Sequence, residues 1–302
     1  MNNIPTEAWS QLEGLAGEER ADACLNLSYS QFQSSNYSAA QILCGSALDI
    51  YFNLGATCDV SKIQDAYKGL SHSLKHLGKF EEAAEISLQA AEYLQSFDDD
   101  AHREALSIAA DSYYLANLCD PALAIYTKIL ENPMNIFDDE SLARLFVDIA
   151  FCHQGLDNFL ESNDYFKKAR SLFVRTLEPR HVAFIDEEIA LNYFHLENAV
   201  DCMKYARYCL DFALMLNDKP RLMYSHNRMG LAKLLNRQFD AAISHFNRCK
   251  ELTAKEKKSD FDLIISCERG LEAAYRSAGK VAEAEVIARR ITNVLASNQE
   301  IH

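Results

Sequence analysis

YKGLSHSLKHLGKFEEAAEISLQAA, residues 67–91, has the pattern of two helices joined by a tight turn. Apolar or small residues recur at spacings of three, four and seven on both sides of Gly78, so each helix has one apolar face. Gly78 can adopt the positive φ that ends the first helix. The stretch therefore predicts a helical hairpin, and a hairpin of this size needs neighbours to bury its apolar face.

Degraded copies of this hairpin recur along the whole chain. A small residue early in the second helix marks each copy, at intervals of 39 to 43 residues. These marker residues are Ala40, Ala83, Ala122, Ser162, Cys202, Ala242 and Ala284. The spacing predicts an all-α protein made of seven consecutive hairpins of about 40 residues each.

Three of the copies resemble tetratricopeptide repeats (TPRs). They are residues 67–91, NRMGLAKLLNRQFDAAISHFNRC (227–249) and GLEAAYRSAGKVAEAEVIARRI (270–291), and the resemblance covers residues 21–297. It implies a right-handed α-solenoid of about seven hairpins that binds proteins or peptides. The period of 40 resembles the long repeats of kinesin light chains and of Rap-type peptide-sensing regulators. LEPRHVAFIDEEIALNY (177–193) is especially similar to the opening of a kinesin-light-chain repeat.

The two ends of the array are predicted to differ from its middle. Residues 1–20 are expected to form a capping helix that carries Trp9, residues 21–297 the solenoid, and residues 298–302 a tail. The last helix carries an apolar surface formed by Ile287, Ile291, Val294 and Leu295. Either this helix folds back on repeats six and seven, or a second copy of the chain covers it in a homodimer through the C-terminal end.

Charge and hydropathy argue against two classes of partner, nucleic acids and membranes. The net charge of −14 disfavours binding to a nucleic-acid backbone. The longest basic cluster, Lys255, Lys257 and Lys258, is mixed with Glu256 and is typical of a solvated helix end. No stretch approaches 18 consecutive apolar residues, so we expect no membrane span.

Cysteine usage indicates a reducing compartment. Of the nine cysteines, several occupy positions where the repeat needs a small buried residue, and no CxxC motif occurs. These core cysteines are Cys24, Cys44, Cys119, Cys202, Cys209 and Cys249. No signal peptide opens the sequence, so we expect free thiols and a cytoplasmic protein.

Catalytic and metal-binding patterns are absent from the sequence. His72 and His76 have the i, i+4 spacing of zinc ligands, but a third ligand and a general base are missing nearby. We interpret them as polar residues of the groove. No nucleophile elbow, phosphate-binding loop or paired-carboxylate motif occurs, so the sequence predicts no enzyme, no cofactor and no metal.

First-helix residues two, five, nine and twelve places into each copy are expected to line the concave surface. Repeat two offers Asp65, Lys68, His72 and Lys75 there, whereas repeats four to six offer large apolar residues. A protein or peptide with an apolar face is the predicted partner. The predicted binding residues are Phe151, Glu187, Leu191, Phe194, Tyr224, Asn227, Leu231, Leu234, Arg269 and Arg276. The alternative is that these side chains pack on one another inside the array.

Three functions fit such an array. The first is a non-catalytic adaptor that binds a partner in its groove. The second, implied by the resemblance to Rap-type regulators, is a peptide sensor that switches a separate effector, because only about 20 residues precede the first repeat. The third is a structural subunit of a larger assembly.

Overall fold

The computed structural model describes residues 10–54, 59–132, 137–254 and 260–299. Within these ranges the chain forms fourteen helices and no strand. The helices are α1 (Gly17–Gln33), α2 (Tyr37–Leu54), α3 (Val60–His76), α4 (Phe80–Leu94), α5 (Asp99–Leu115), α6 (Cys119–Glu131), α7 (Asp139–Gly155), α8 (Phe159–Arg175), α9 (Pro179–His195), α10 (Ala199–Met215), α11 (Lys219–Leu235), α12 (Phe239–Thr253), α13 (Phe261–Ser277) and α14 (Val281–Gln299).

The helices form seven successive hairpins in two compact units. Unit 1 contains α1 to α6, and unit 2, which begins at Asp138, contains α7 to α14. Within each unit, consecutive helices pack against each other. The predicted all-α succession of hairpins is confirmed, and odd-numbered helices are the first helices of their hairpins.

The marker residues lie at the tightest packing point of each hairpin. All seven are 0–1% exposed, including Ser162 and Cys202, where alanine is replaced. A side chain of this size lets the two backbones approach closely. The burial confirms the repeat register that the sequence predicts.

Every hairpin turn contains one residue with positive φ. These residues are Ser35, Gly78, Asn117, Asp157, Glu197, Arg237 and Gly279. In each turn the following N–H donates to the carbonyl five residues before it, as from Lys79 to Leu74 at 2.9 Å and from Gln238 to Lys233 at 2.9 Å. This is the Schellman helix ending. The predicted role of Gly78 is confirmed, and most other copies reach the same conformation without glycine.

Cysteine thiols belong to the cores of both units. All eight cysteines in the described ranges are free and buried, and the six predicted core cysteines are among them. Cys58 lies outside the described residues. The prediction that cysteines act as small core residues is confirmed for these positions.

The structure describes part of each predicted end of the array. Residues 17–20, assigned to the cap, belong to α1, while Trp9 and the basic cluster at Lys255 lie outside the described residues. At the other end, Ile287 and Ile291 are 7% and 8% exposed and pack into the core of unit 2. The apolar surface that suggested a homodimer is therefore largely internal, because α14 pairs with α13.

Candidate functional site

In unit 1 a pocket opens between the first helices α1 and α3. Its volume is about 460 Å³. Its floor is formed by Ser28, Cys44 and Gly69, and Tyr29 at its edge is 68% exposed. The full lining is Leu25, Asn26, Ser28, Tyr29, Phe32, Gln33, Cys44, Asp65, Lys68, Gly69, His72 and Ser73. An aromatic, partly apolar wall with polar groups above it is the usual composition of a ligand pocket.

Polar side chains of α3 border this pocket. Lys68 forms an ion pair with Glu104 of α5, and its side chain is still 42% exposed. Burial lowers the pKa of His72, and the positive charges of Lys75 and Lys68 lower it further. His72 is therefore neutral at pH 7 and can both donate and accept a hydrogen bond. The sequence placed Asp65, Lys68 and His72 on the binding face, and the structure brings them to one pocket.

Two small residues make room for the pocket. A Cβ added to Gly69 would lie 2.8 Å from the sulfur of Cys44, so α3 approaches α2 closely at that point. Cys44 itself fills little of the space beside it. Sequence reasoning identified Cys44 as a core residue but missed that it also lines a pocket, and it did not assign Tyr29 or Phe32 to the site.

In unit 2 the equivalent positions are filled. Phe246 of α12 stands where Cys44 stands in the first hairpin, four residues after the marker residue, and it is completely buried. Its ring lies against Gly230 of α11 and Gly270 of α13, since a Cβ on either residue would overlap the ring. Gly270 occupies the repeat position of Gly69. The space that forms the pocket in unit 1 is occupied by a phenyl ring here.

Buried hydrogen bonds also connect the first helices of unit 2. Asn227 is 0% exposed and donates to Ser266 Oγ at 3.1 Å and to Cys267 Sγ at 3.2 Å. Arg228 donates from Nε to the Glu187 carbonyl oxygen at 3.0 Å. These bonds tie α11 to both α9 and α13.

Glu187 is a buried carboxyl group within this network. It accepts a hydrogen bond from Arg221 at 2.8 Å through Oε2, while Oε1 has no hydrogen-bond partner. Burial raises its pKa to about 7, although the nearby charges of Arg221 and Arg228 act in the opposite direction. Near neutral pH the carboxyl group therefore exists in both protonation states.

A second, open pocket of about 780 Å³ lies beside this network in unit 2. Phe184 and Tyr224 form its aromatic part, and charged groups from α9 and α11 surround them. Its lining is Arg180, Phe184, Glu187, Glu188, Leu216, Asn217, Asp218, Lys219, Pro220, Arg221 and Tyr224. The Tyr224 hydroxyl donates to Asp260 at 2.5 Å, which fixes the ring at the rim.

The predicted binding residues fall into three groups. Glu187, Asn227 and Leu231 are buried, 2%, 0% and 6% exposed, and offer little surface to a partner in this structure, although Glu187 also lines the 780 Å³ pocket. Neighbouring helices cover them, since Asn227 bonds to Ser266 of α13 and Glu187 to Arg221 of α11. Half-buried residues that pack on the core at one side are Phe151, Leu191, Phe194, Tyr224 and Leu234. Arg269 and Arg276 are exposed, and Arg276 pairs with Glu272.

The described residues contain no cluster of three or more histidine, cysteine or acidic side chains arranged to hold a metal ion. His76 stacks on Tyr37, with ring centroids 4.4 Å apart, and His72 faces the pocket. Of the helices in the described ranges, none combines the length and the hydropathy that a membrane span requires.

Solved structures similar to this chain have TPR-like arrays. A STAND protein with a tetratricopeptide repeat sensor from Pyrococcus horikoshii matches with a TM-score of 0.71 at 14% identity, over 96% of this chain and 44% of its own. The apo form of RapI matches with a TM-score of 0.65 at 12% identity, over 91% and 76%. NprR in complex with its cognate peptide NprX matches with a TM-score of 0.61 at 12% identity, over 92% and 80%.

These matches define the class of protein by its fold, which is a TPR-like helical array. No family model matches the chain, and no curated protein matches its sequence. At identities this low, the likeness concerns the fold alone.

Proposed function

We propose that this protein is a non-catalytic adaptor that binds a peptide or an extended protein segment on the first-helix faces of its hairpins. The observation that carries the proposal is the pocket between α1 and α3 in unit 1. Tyr29 is mostly exposed at its edge, and its lining includes the apolar residues Leu25 and Cys44. A peptide side chain fits such a pocket, and the polar rim can bind the peptide backbone.

The chemistry of the rim suggests what the peptide carries. Lys68 and His72 offer donors above an aromatic wall, and Asp65 lies exposed beside them. A segment with one aromatic or aliphatic anchor and a flanking charged group matches both parts of this surface. Structural neighbours support a peptide ligand as a class, since NprR is solved with its cognate peptide.

A second surface in unit 2 belongs to the same proposal. It consists of the parts of the predicted groove that remain half-buried or exposed, together with the aromatic edge of the 780 Å³ pocket. Its residues are Phe151, Phe184, Leu191, Phe194, Tyr224, Leu234, Arg269 and Arg276. The apolar residues would contact the anchor side chains of a partner and the two arginines its acidic groups.

The test uses a phage-displayed library of random peptides as the probe, selected on the full chain and followed by fluorescence polarisation with the selected peptides. We expect Tyr29→Glu, and separately Cys44→Phe, to weaken binding at least about tenfold. Phe97→Glu is the matched control, because Phe97 is an aromatic residue of unit 1 that is 59% exposed and lies outside the pocket.

The outcomes separate the two surfaces. If the pocket variants bind normally and remain helical by circular dichroism, the unit 1 site is wrong. In that case loss of binding in Phe194→Glu with Leu234→Glu would place the site in unit 2. If both sets bind normally, exposed second-helix residues such as Leu160 and Val200 become the contact surface, as in a structural subunit.

A peptide-sensing regulator is the second candidate, and the likeness in fold to RapI fits it as well as it fits the adaptor. A sensor must change conformation when its peptide binds, whereas an adaptor need not. Small-angle scattering with and without a selected peptide distinguishes them. A change in the radius of gyration at saturating peptide supports the sensor, and an unchanged value supports the adaptor.

A further inference from the structure

Cys249 and Cys267 bring two thiols into direct contact in unit 2. Cys249 lies on α12 and Cys267 on the neighbouring α13, 18 positions later. Their sulfur atoms are 2.9 Å apart. A disulfide bond joins sulfurs at about 2.05 Å, so the two atoms need to move together by less than about 1 Å. Both residues are buried, at 0% and 2% exposure.

The surroundings of Cys267 lower the pKa of its thiol. The Asn227 amide donates to its sulfur at 3.2 Å. The hydrogen bond with Cys249 lowers the pKa of the Cys267 thiol most, burial acts against this, and Asn227 and the charge of Arg228 lower it further. The same hydrogen bond and burial raise the pKa of Cys249. Cys267 therefore loses its proton more readily than Cys249, which makes it the better nucleophile of the pair.

We propose that Cys249 and Cys267 are an oxidative modification site that forms an intramolecular disulfide with a peroxide as oxidant. The Cys267 thiolate attacks one peroxide oxygen, the O–O bond breaks, and a sulfenic acid and hydroxide form. Cys249 then loses its proton and attacks the sulfenic sulfur, which releases a second hydroxide. In total, two thiols and one hydrogen peroxide give one disulfide and two waters.

The location gives the bond a structural consequence. It would join α12 of the sixth hairpin covalently to α13 of the seventh, next to Asn227, which links α11 to α13. A cross-link of this kind restricts the unfolded chain. The reduced protein should therefore unfold at a lower temperature than the oxidised one. Because both sulfurs are buried, oxidation depends on brief local opening and should be slow.

The experiment treats the full chain with hydrogen peroxide, blocks the remaining thiols with N-ethylmaleimide in denaturant, and maps tryptic peptides by mass spectrometry. We expect a cross-linked peptide pair that contains Cys249 and Cys267, with a loss of two hydrogens. Dithiothreitol should reverse it. The unfolding temperature of unit 2 should rise on oxidation and return on reduction.

Cys249→Ser and Cys267→Ser should each abolish the cross-link, and Cys249→Ala serves if the serine variant does not fold. Cys202→Ser is the matched control, because Cys202 is also a fully buried thiol of unit 2. The proposal is overturned if peroxide oxidises other thiols while Cys249 and Cys267 are both recovered alkylated. It is also overturned if either cysteine pairs with a different one.

Discussion

Three equivalent positions of the repeat surround a pocket in unit 1. In unit 2 one of these positions is a phenylalanine, and its ring fills the space between the other two. Ser28, Cys44 and Gly69 surround the space between α1 and α3, whereas Gly230, Phe246 and Gly270 correspond to them between α11 and α13. The backbone pattern is the same in both places. In this pair of hairpins, the larger side chain on the intervening second helix fills the space that the smaller one leaves open.

The polar side chains next to these positions also differ between the two units in their exposure. At one repeat position the second hairpin has Lys68, whose side chain is 42% exposed, and the sixth has Asn227, which is fully buried. We call the packing of α11 against α9 and α13 the closed seam and the pocket between α1 and α3 the open seam. In the closed seam Asn227 and Arg228 donate hydrogen bonds to neighbouring helices, whereas in the open seam Lys68 pairs with Glu104 at the surface. In the closed seam the polar groups bond to one another inside the protein, whereas the polar groups of the open seam remain partly exposed.

Of the substitutions that test this comparison, removal of the Phe246 ring should change the free energy of unfolding most. Phe246→Ala would leave a void between two glycines that cannot fill it, and we expect a loss of about 3–5 kcal/mol in the free energy of unfolding. Urea unfolding followed by circular dichroism measures it. Phe97→Ala, at an exposed aromatic residue, should change stability by less than about 0.5 kcal/mol. A cost for Phe246→Ala as small as that of the control would mean that the ring does not hold the seam together.

The pH dependence of stability tests the closed network. Because the folded-state pKa of Glu187 is raised from 4.5 to about 7, the folded state holds a proton that the unfolded state has released between these values. Glu187 therefore contributes stability that is lost as pH rises from about 4.5 to 7, on the order of 2–3 kcal/mol. Asp186, whose pKa burial also raises, acts in the same direction.

Glu187→Gln isolates that contribution. It keeps the shape of the side chain and removes its titration, so the difference in unfolding free energy between variant and native protein should grow by the same amount across this pH range. Urea denaturation at several pH values measures the difference. A constant difference would show that Glu187 titrates normally and that the seam is open to water.

The contact between Gly270 and the ring of Phe246 gives a prediction with a smaller expected effect on stability. Gly270→Ala places a methyl group into the buried ring of Phe246, and overpacking of this kind costs about 1–3 kcal/mol. The cost should nearly vanish in a Phe246→Ala background, which a double-mutant cycle detects. Gly45→Ala is the control, because nothing lies within 4 Å of its added Cβ and alanine favours a helix. Equal costs in both backgrounds would refute a direct contact.

The sequence could predict the hairpins but not which faces close. The marker residues reveal the register, since a small residue is required at each of those positions and all are buried. Asn227 and Leu231 occupy first-helix positions that looked exposed by the same register. Phe246 and Gly270 occupy the same repeat positions as Cys44 and Gly69 and lie 19 and 43 residues from Asn227, and the periodicity does not predict how large the side chains at those positions are. The periodicity of the sequence predicts the fold, whereas the volumes of side chains on three neighbouring helices determine which first-helix faces are closed.

The smallest expected effect concerns the positive-φ residues of the hairpin turns, which differ between the two units. Gly78 in unit 1 and Arg237 in unit 2 end their first helices with φ of 74° and 56°. A non-glycine residue in the left-handed region costs roughly 1–2 kcal/mol in the free energy of folding. Substitution by glycine removes this cost, but part of the benefit is lost because glycine has a larger conformational entropy in the unfolded state. Arg237→Gly should therefore stabilise the protein by about 0.5–1 kcal/mol in thermal or urea unfolding.

The reverse exchange, Gly78→Ala, should destabilise the second hairpin, although nothing lies within 4 Å of its added Cβ. Its cost would then come from the backbone alone. If Arg237→Gly lowers stability instead, the arginine side chain contributes more than its backbone conformation costs. The turn of the sixth hairpin would then depend on side-chain contacts, unlike the glycine turn of the second.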